Sequence, residues 1–407
     1  MTNAQALRLA LAILAIAGTR HPAMAQDLSL SGLLDMRLIA PSGQISHADG
    51  GYGKLRWGDG HGSPVIPALG QASLHGSLLL MPELRVVTDI RYDPSQKTAV
   101  DVLDFYVRYR PVSTSRWRWS VKGGAFFPPI SLENTMPGWG TEWTITPSAI
   151  NAWAGEELRI FGGEATLEWR GDVDHIALTA SVFGLNQAAG TGIASYGWTL
   201  ADRPTGLLDH IRLAGGEHGL SPPQYSDPFR HFDHSAGWYG GVAWERADIG
   251  RIALLRYDNQ ADPAAHDAMD SGWRTEFWSL GLSSDIGPVT ILSQAMVGST
   301  VAAPLPGYKS TTRFWAWYVL AALERDQWRF ALRFDQFGTR EAASEEGPKG
   351  DETGVSGTVA ATWSPSKHVS LVGEVLAADY SRPQRVLLGK SPHVTELQAQ
   401  LALRLKF

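Results

Sequence analysis

Charged side chains recur at every second position in three neighbouring segments, 83–92, 99–110 and 116–126. Alternate residues of a β-strand point to the same face, so these segments would gather their bases on one wall. Such a wall sets up a transverse field that favours anionic or dipolar solutes. The bases can equally pair with nearby carboxylates, and pairing and permeation are compatible. We take the following residues as candidates to line a water-filled passage along this wall. On the three segments they are Arg85, Arg91, Asp104, Arg108, Arg110, Arg118 and Lys122. Arg329 and Arg333 lie on a later segment, 326–338.

The sequence gives weaker evidence for a catalytic or metal-binding site than for this basic wall. His75, Ser77 and His175 could supply parts of a hydrolytic site, but no Gly-x-Ser-x-Gly elbow or paired-carboxylate signature accompanies them. The segment 187–235 is rich in His and Asp, yet His231 and His234 have no second tight pair of ligands at a defined spacing. We therefore expect no metal, no cofactor and no enzymatic activity.

The ends and the composition indicate an exported chain. Arg8, the apolar run 9–17 and Ala23-Met24-Ala25 have the form of a secretory signal peptide, which predicts cleavage after residue 25 and a mature domain over 26–407. Loss of 1–25 removes two bases and no acid, so the net charge changes from −6 to −8. This balance argues against a nucleic-acid partner. There is no cysteine, which fits a chain that crosses an oxidising periplasm.

A period of two in hydrophobicity predicts an all-β fold. In 394–407, for example, leucines and other apolar residues alternate with polar ones up to Phe407. In a large barrel the apolar face meets lipid and the polar face meets a wet lumen. The sequence predicts a transmembrane antiparallel β-barrel of about sixteen strands. The predicted strands are 27–39, 70–81, 83–92, 99–110, 116–126, 156–170, 173–186, 236–247, 250–260, 274–285, 287–298, 311–324, 326–338, 353–365, 367–380 and 394–407.

Connection lengths give a second signal. Tight turns rich in Gly, Pro and Asp alternate with mostly long connections, as short periplasmic turns alternate with long external loops in outer-membrane barrels. The third external loop, 127–155, is rich in Pro, Gly and Trp, which indicates a compact loop. We expect it to fold into the lumen and carry Glu133 and Glu142 towards the basic wall. The alternative is a cap outside the mouth.

The string Lys122-Gly-Gly-Ala-Phe-Phe-Pro-Pro-Ile-Ser-Leu-Glu133 resembles the segment that enters the third loop of phosphate-selective-type porins. The resemblance implies a sixteen-stranded homotrimer in which lumen bases guide anions, here Arg108, Arg118 and Lys122. It also implies that Phe407 is the C-terminal aromatic that the barrel-assembly machinery recognises. The sequence shows no clear match for the family's full set of phosphate-site residues.

We therefore expect a porin that lets small hydrophilic solutes, with anions favoured, diffuse passively through the outer membrane of a Gram-negative cell. Its other partners would be outer-membrane lipid and lipopolysaccharide. Two alternatives stay open: a barrel enzyme of the lipase or protease type, and a closed structural or adhesin barrel. An energy-coupled transporter is disfavoured, because such barrels have about 22 strands around a plug domain.

Overall fold

The computed structural model describes residues 27–62, 64–214, 225–267, 270–343 and 349–407. The predicted signal peptide, 1–25, lies outside the described residues. Sixteen antiparallel strands form a closed barrel, and a separate sheet pairs two short strands, β8 and β9. The strands are β1 Asp27–Ala40, β2 Ile66–Met81, β3 Leu84–Tyr92, β4 Val100–Tyr109, β5 Trp117–Phe126, β6 Ile160–Arg170, β7 Asp174–Gly184, β8 Ile211–Arg212, β9 Tyr225–Ser226, β10 Gly237–Arg246, β11 Gly250–Asp258, β12 Arg274–Ile286, β13 Val289–Ala302, β14 Ser310–Arg325, β15 Trp328–Ala343, β16 Glu352–Ser366, β17 Val369–Ser381 and β18 His393–Lys406.

Each barrel strand pairs with the next one along the chain, except that β7 pairs with β10 across the connection holding β8 and β9. The barrel closes where β1 pairs with β18, with Leu33 opposite Lys406. The prediction of a sixteen-stranded antiparallel barrel is confirmed, and all sixteen predicted strands are present with ends that differ by five residues or fewer. The largest differences are at the start of β2, the ends of β13 and β15, and the start of β6. Residues 156–159 precede β6 instead of beginning it, because Glu156 and Glu157 end a helix.

The two faces of the barrel have opposite chemistry. On β5, Trp117, Trp119 and Val121 are exposed on the outer face, while the residues between them point inward. Trp328 stacks on Trp363 near two short turns on the same outer surface. This is the alternation that a barrel in a bilayer requires, since hydrocarbon contacts one face and the lumen the other.

The ends of the barrel also differ. Short turns such as 287–288 and 326–327 join strands at one end, here called the short-turn end. Gly287 and Asp326 have positive φ values of 61° and 56°, the left-handed geometry of a tight turn. Within the described ranges, the opposite, long-loop end has two α-helices, α1 Ala149–Glu157 and α2 Thr191–Ser195. No helix in the described part of the chain is long and apolar enough to cross a membrane.

Candidate functional site

Five of the predicted lining residues form a partly open basic wall on β3–β5. Arg85 lies opposite Arg108 in the strand register, and Arg108 lies opposite Lys122. Lys122 pairs with Glu164 at 3.1 Å and Arg110 with Glu168 at 3.2 Å. The register sets like charges side by side, which costs stability unless acids, water or solute anions compensate.

Three bases of this wall have no acid partner. Within the described residues, Arg85, Arg108 and Arg118 make no hydrogen bond or ion pair through their side chains, although Arg118 faces Glu168 in the register. The Nε of Arg118 is buried and unpartnered. Water and small anions are therefore the partners available to these guanidinium groups.

Two other predicted residues lie deeper, nearer the long-loop end. Asp104 is opposite Asp89 on β3, and one of its carboxyl oxygens is buried without a partner. Arg91 is buried and donates to the backbone carbonyls of Gly138 at 3.0 Å and Asp202 at 2.8 Å. Arg91 thus holds loop backbone, and its guanidinium does not face open lumen.

The bases on β15 lie across the barrel and bind the third loop. Arg329 pairs with Glu142 at 3.2 Å. Arg333 is fully buried, with its Nε 2.8 Å from Asp335 and its Nη1 3.5 Å from Glu133. The expectation that the loop carboxylates approach the basic wall of β3–β5 is therefore corrected: Glu133 and Glu142 pair with β15, because the loop crosses the lumen to the opposite side.

The third loop, 127–159, first contacts β2 and β3. The amide of Gly138 donates to Asp89 at 2.9 Å, and Gln71 donates to the carbonyl of Pro137 at 2.8 Å. Gly138 has a φ of 69°, and a Cβ there would lie 2.0 Å from Oγ of Ser73. Only glycine allows so close an approach to the strand wall in this conformation.

The same loop next contacts β15–β18. The Thr146 hydroxyl donates to Glu374 at 2.7 Å, and the Thr146 carbonyl accepts from Arg333 at 2.6 Å. Arg404 donates to the carbonyl of Thr141 at 3.2 Å. In the barrel order β18 and β17 follow β1, so the loop continues along the inner wall from β2–β3 past β18 to β15.

Helix α1 completes the loop. The side chain of Ser148 caps its N-terminus by accepting from the amide of Asn151. Trp153 packs edge-on against Phe277 of β12 and Phe314 of β14, with ring centroids 5.6 and 5.1 Å apart. All nine residues of the helix are buried, so no face of α1 meets water.

Two further loops close over α1. Leu55 forms a β-bridge with Leu200, which joins the connection 41–65 to the connection 185–236. Lys54 is fully buried, forms an ion pair with Glu352 of β16 and donates to the carbonyl of Tyr196 at 2.7 Å. Burial lowers the pKa of Lys54 to about 8, against the opposing effect of Glu352. We call the described residues 44–57, 127–159 and 186–205 the plug.

Spacing did not reveal the plug's anchors. Lys54, Glu352 and Arg382 meet inside the barrel, but Lys54 is 298 residues from Glu352 in sequence and Arg382 a further 30. Two of the three lie in or beside loops. Loop residues have no period, so sequence reasoning had no signal that would place them together.

No arrangement for hydrolysis or metal binding was found among the described residues. His75 lies 3.8 Å from Asp89 and His175 lies 3.7 Å from Glu168, but Ser77 makes no hydrogen bond with His75 in that part of the chain. No group of three or more His, Cys, Asp and Glu side chains could hold a metal ion within the described ranges.

The interior therefore has two parts. At the long-loop end, every residue from 144 to 160 is buried under neighbouring loops and strands. Towards the short-turn end, the inward residues Arg108, Arg118, Lys122 and Thr166 keep partial exposure. The barrel thus encloses a charged cup at the short-turn end and a packed plug at the other.

Solved structures with this architecture include outer-membrane channels. The outer membrane channel DcaP of Acinetobacter baumannii matches with a TM-score of 0.57 and 12% identity, over 96% of this chain and 99% of that one. Salmonella typhi OmpF, solved with daunomycin, matches with a TM-score of 0.50 and 12% identity, over 93% and 97%. An anion-selective porin from Comamonas acidovorans has a TM-score of 0.45 and 11% identity, over 94% and 100%. No family model and no curated protein matches the chain. At these identities the likeness to DcaP and OmpF shows a shared fold.

Proposed function

We propose that this chain is an outer-membrane channel of the porin type. The observation that carries the proposal is the closed sixteen-stranded barrel, apolar outside and charged inside. A closed barrel leaves no unpaired strand edge in hydrocarbon, and one of this size has room for an aqueous lumen. The shared fold with the channel DcaP supports the same conclusion.

We infer that the solutes are small and hydrophilic, with anions favoured over cations. Arg85, Arg108 and Arg118 have no acid partner among the described side chains and face the cup. Positive charge along a water-filled wall attracts anions and repels cations. Loop carboxylates do not offset this wall, because Glu133 and Glu142 pair with β15. We propose no selectivity for phosphate over other anions.

The long loops would face the outside of a Gram-negative cell and the short turns the periplasm, after cleavage of the signal peptide over 1–25. Phe407 suits the role of an assembly signal, because its backbone pairs with Gly32 at the seam while its ring is 70% exposed on the outer surface. We also propose that the barrel-assembly machinery and lipopolysaccharide are partners of this protein. We propose that its oligomeric state is a homotrimer.

A closed structural barrel is the second candidate. The plug favours it, since residues 144–160 leave no exposed face at the long-loop end. A barrel whose interior is packed throughout one half could serve as a rigid support for external loops without passing solutes.

Ion currents across a planar bilayer test the proposal. The purified barrel should conduct, and its reversal potential in a salt gradient should indicate anion preference. Replacing Arg108 and Arg118 with Glu should shift that potential towards cations. The matched control replaces Arg313 and Arg340 with Glu, because these two bases lie on neighbouring barrel strands but are exposed on the outer face. Equal shifts in both double variants would contradict a basic lining.

A further inference from the structure

The plug behaves as one packed body made from three separate loops. Its apolar centre contains Leu55, Trp153 and Trp198, one from each loop, which join inward aromatic residues of the barrel in a single buried cluster. Trp198 also donates to the carbonyl of Gly338 on β15 at 3.0 Å. The lumen near the long-loop end therefore contains a continuous buried apolar cluster, as a protein core does.

Two adjacent carboxylates of α1 join the three loops. Glu156 accepts from His47 at 2.9 Å in the first loop and from Tyr196 at 3.3 Å in the last. Glu157 accepts from the amides of Gly190 at 3.3 Å and Gly192 at 2.8 Å. We call Glu156 and Glu157 the latch. Both are buried, so each bond lost would leave a donor without water or a partner.

Inward aromatic residues of the barrel also pack near the long-loop end. Phe183 stacks on Tyr257 at 5.2 Å, and Tyr257 stacks on Phe277 at 4.8 Å, along β7, β11 and β12. Arg159 lies over Phe229 at 4.1 Å and is fully buried, with two guanidinium nitrogens unpartnered. Together these side chains join the plug to the barrel wall at β7, β11 and β12.

We propose that the plug is a gate: the structure is the closed state of the channel, and solutes pass only when the loops separate at the latch. This rests on the proposed channel function. The basic cup then selects among solutes, while the latch decides whether the path is continuous. Solute selection and gating depend on different residues. Substitutions in the cup should therefore change selectivity, and substitutions in the latch should change the open probability.

A reversible crosslink tests the gate directly. Leu55 and Leu200 are β-bridge partners, so their Cα atoms lie about 5 Å apart, within disulfide range. The chain has no cysteine, so L55C/L200C contains a single pair. Oxidised L55C/L200C should stay closed in a bilayer, and a reductant should restore openings. The matched control is H266C/S271C, another bridge pair, confined to one external loop.

Removing the latch tests whether weaker contacts between the loops open the channel more often. E156A/E157A should raise the open probability about tenfold or more, because several buried donors lose their acceptors. The control E83A/E245A removes two carboxylates that make no side-chain hydrogen bond or ion pair in the described chain. Circular dichroism in detergent checks that each barrel is intact.

The outcomes separate the gate from the channel. Rare openings that the disulfide abolishes and the latch variant increases would support the gate. Steady currents that are equal in the wild type and in oxidised L55C/L200C would overturn the gate and leave the channel standing. Silence in wild type, reduced L55C/L200C and an intact E156A/E157A barrel would overturn the channel itself, and the gate with it.

Discussion

Arg333 is predicted to hold the third loop against the barrel. It is fully buried, and it pairs with Asp335 and donates to the carbonyls of Thr146 at 2.6 Å and Pro147 at 3.0 Å. Arg333→Met keeps an apolar chain of similar reach but leaves the carboxylates of Asp335 and Glu133 uncompensated. Breaking a buried ion pair in this way costs roughly 3–5 kcal/mol.

If that cost falls on loop docking, the population of undocked loop should rise by roughly 100- to 3,000-fold, at 1.4 kcal/mol per tenfold. Limited proteolysis measures this population when docking is fast relative to cleavage. A chymotrypsin-type protease should cleave after Trp143 and Trp153 correspondingly faster in the variant, as followed by mass spectrometry in detergent.

Arg251→Met is the matched control. Arg251 lies on β11 near the short-turn end, is exposed, and makes no hydrogen bond or ion pair within the described residues. Its loss should leave cleavage in the third loop unchanged. Equal cleavage rates for wild type and Arg333→Met, with both barrels intact, would refute the reasoning that this ion pair docks the loop.

Gly138→Ala should undock the turn at β2–β3 and speed cleavage of the third loop, because its Cβ would lie 2.0 Å from Ser73 in a backbone with φ 69°; unchanged cleavage would contradict the contact. Arg118→Glu alone should move the reversal potential towards cations without changing open probability, and a change in gating instead would contradict the division of tasks. Acid should favour closure: burial raises the pKa of Glu157 to about 7 from 4.5. The closed plug therefore binds the proton more tightly than separated loops would, so the contribution of Glu157 to closure weakens as the pH rises from 4.5 to 7 and is constant above 7. Adjacent Glu156 raises this pKa too, and His47 faces Glu156 from the first loop. The closed-to-open ratio should change by at most about 300-fold over this range, and in Glu157→Gln most of that dependence should vanish; bilayer recordings from pH 4.5 to 8 would measure both.

Local physics was enough to predict the barrel. In β5, side chains from Trp117 to Val121 alternate between the outer face of the barrel and the lumen. The sequence shows this period of two directly. A two-residue turn such as Asp326-Gln327 can join only antiparallel strands, because parallel strands need a long crossover. These signals act over a few residues, so strand number, pairing order and inward face could all be derived without any tertiary contact.

The interior depended on contacts that no local pattern encodes. Lys54 meets Glu352, and His47 meets Glu156, only because three loops of irregular backbone pack together inside the cylinder. The same packing buries Arg91 and Arg333, which alternate along their strands just as Arg108 does. Alternation fixes which side of the wall a residue faces; whether it then meets water or a loop is decided by long-range packing, and that required the tertiary structure.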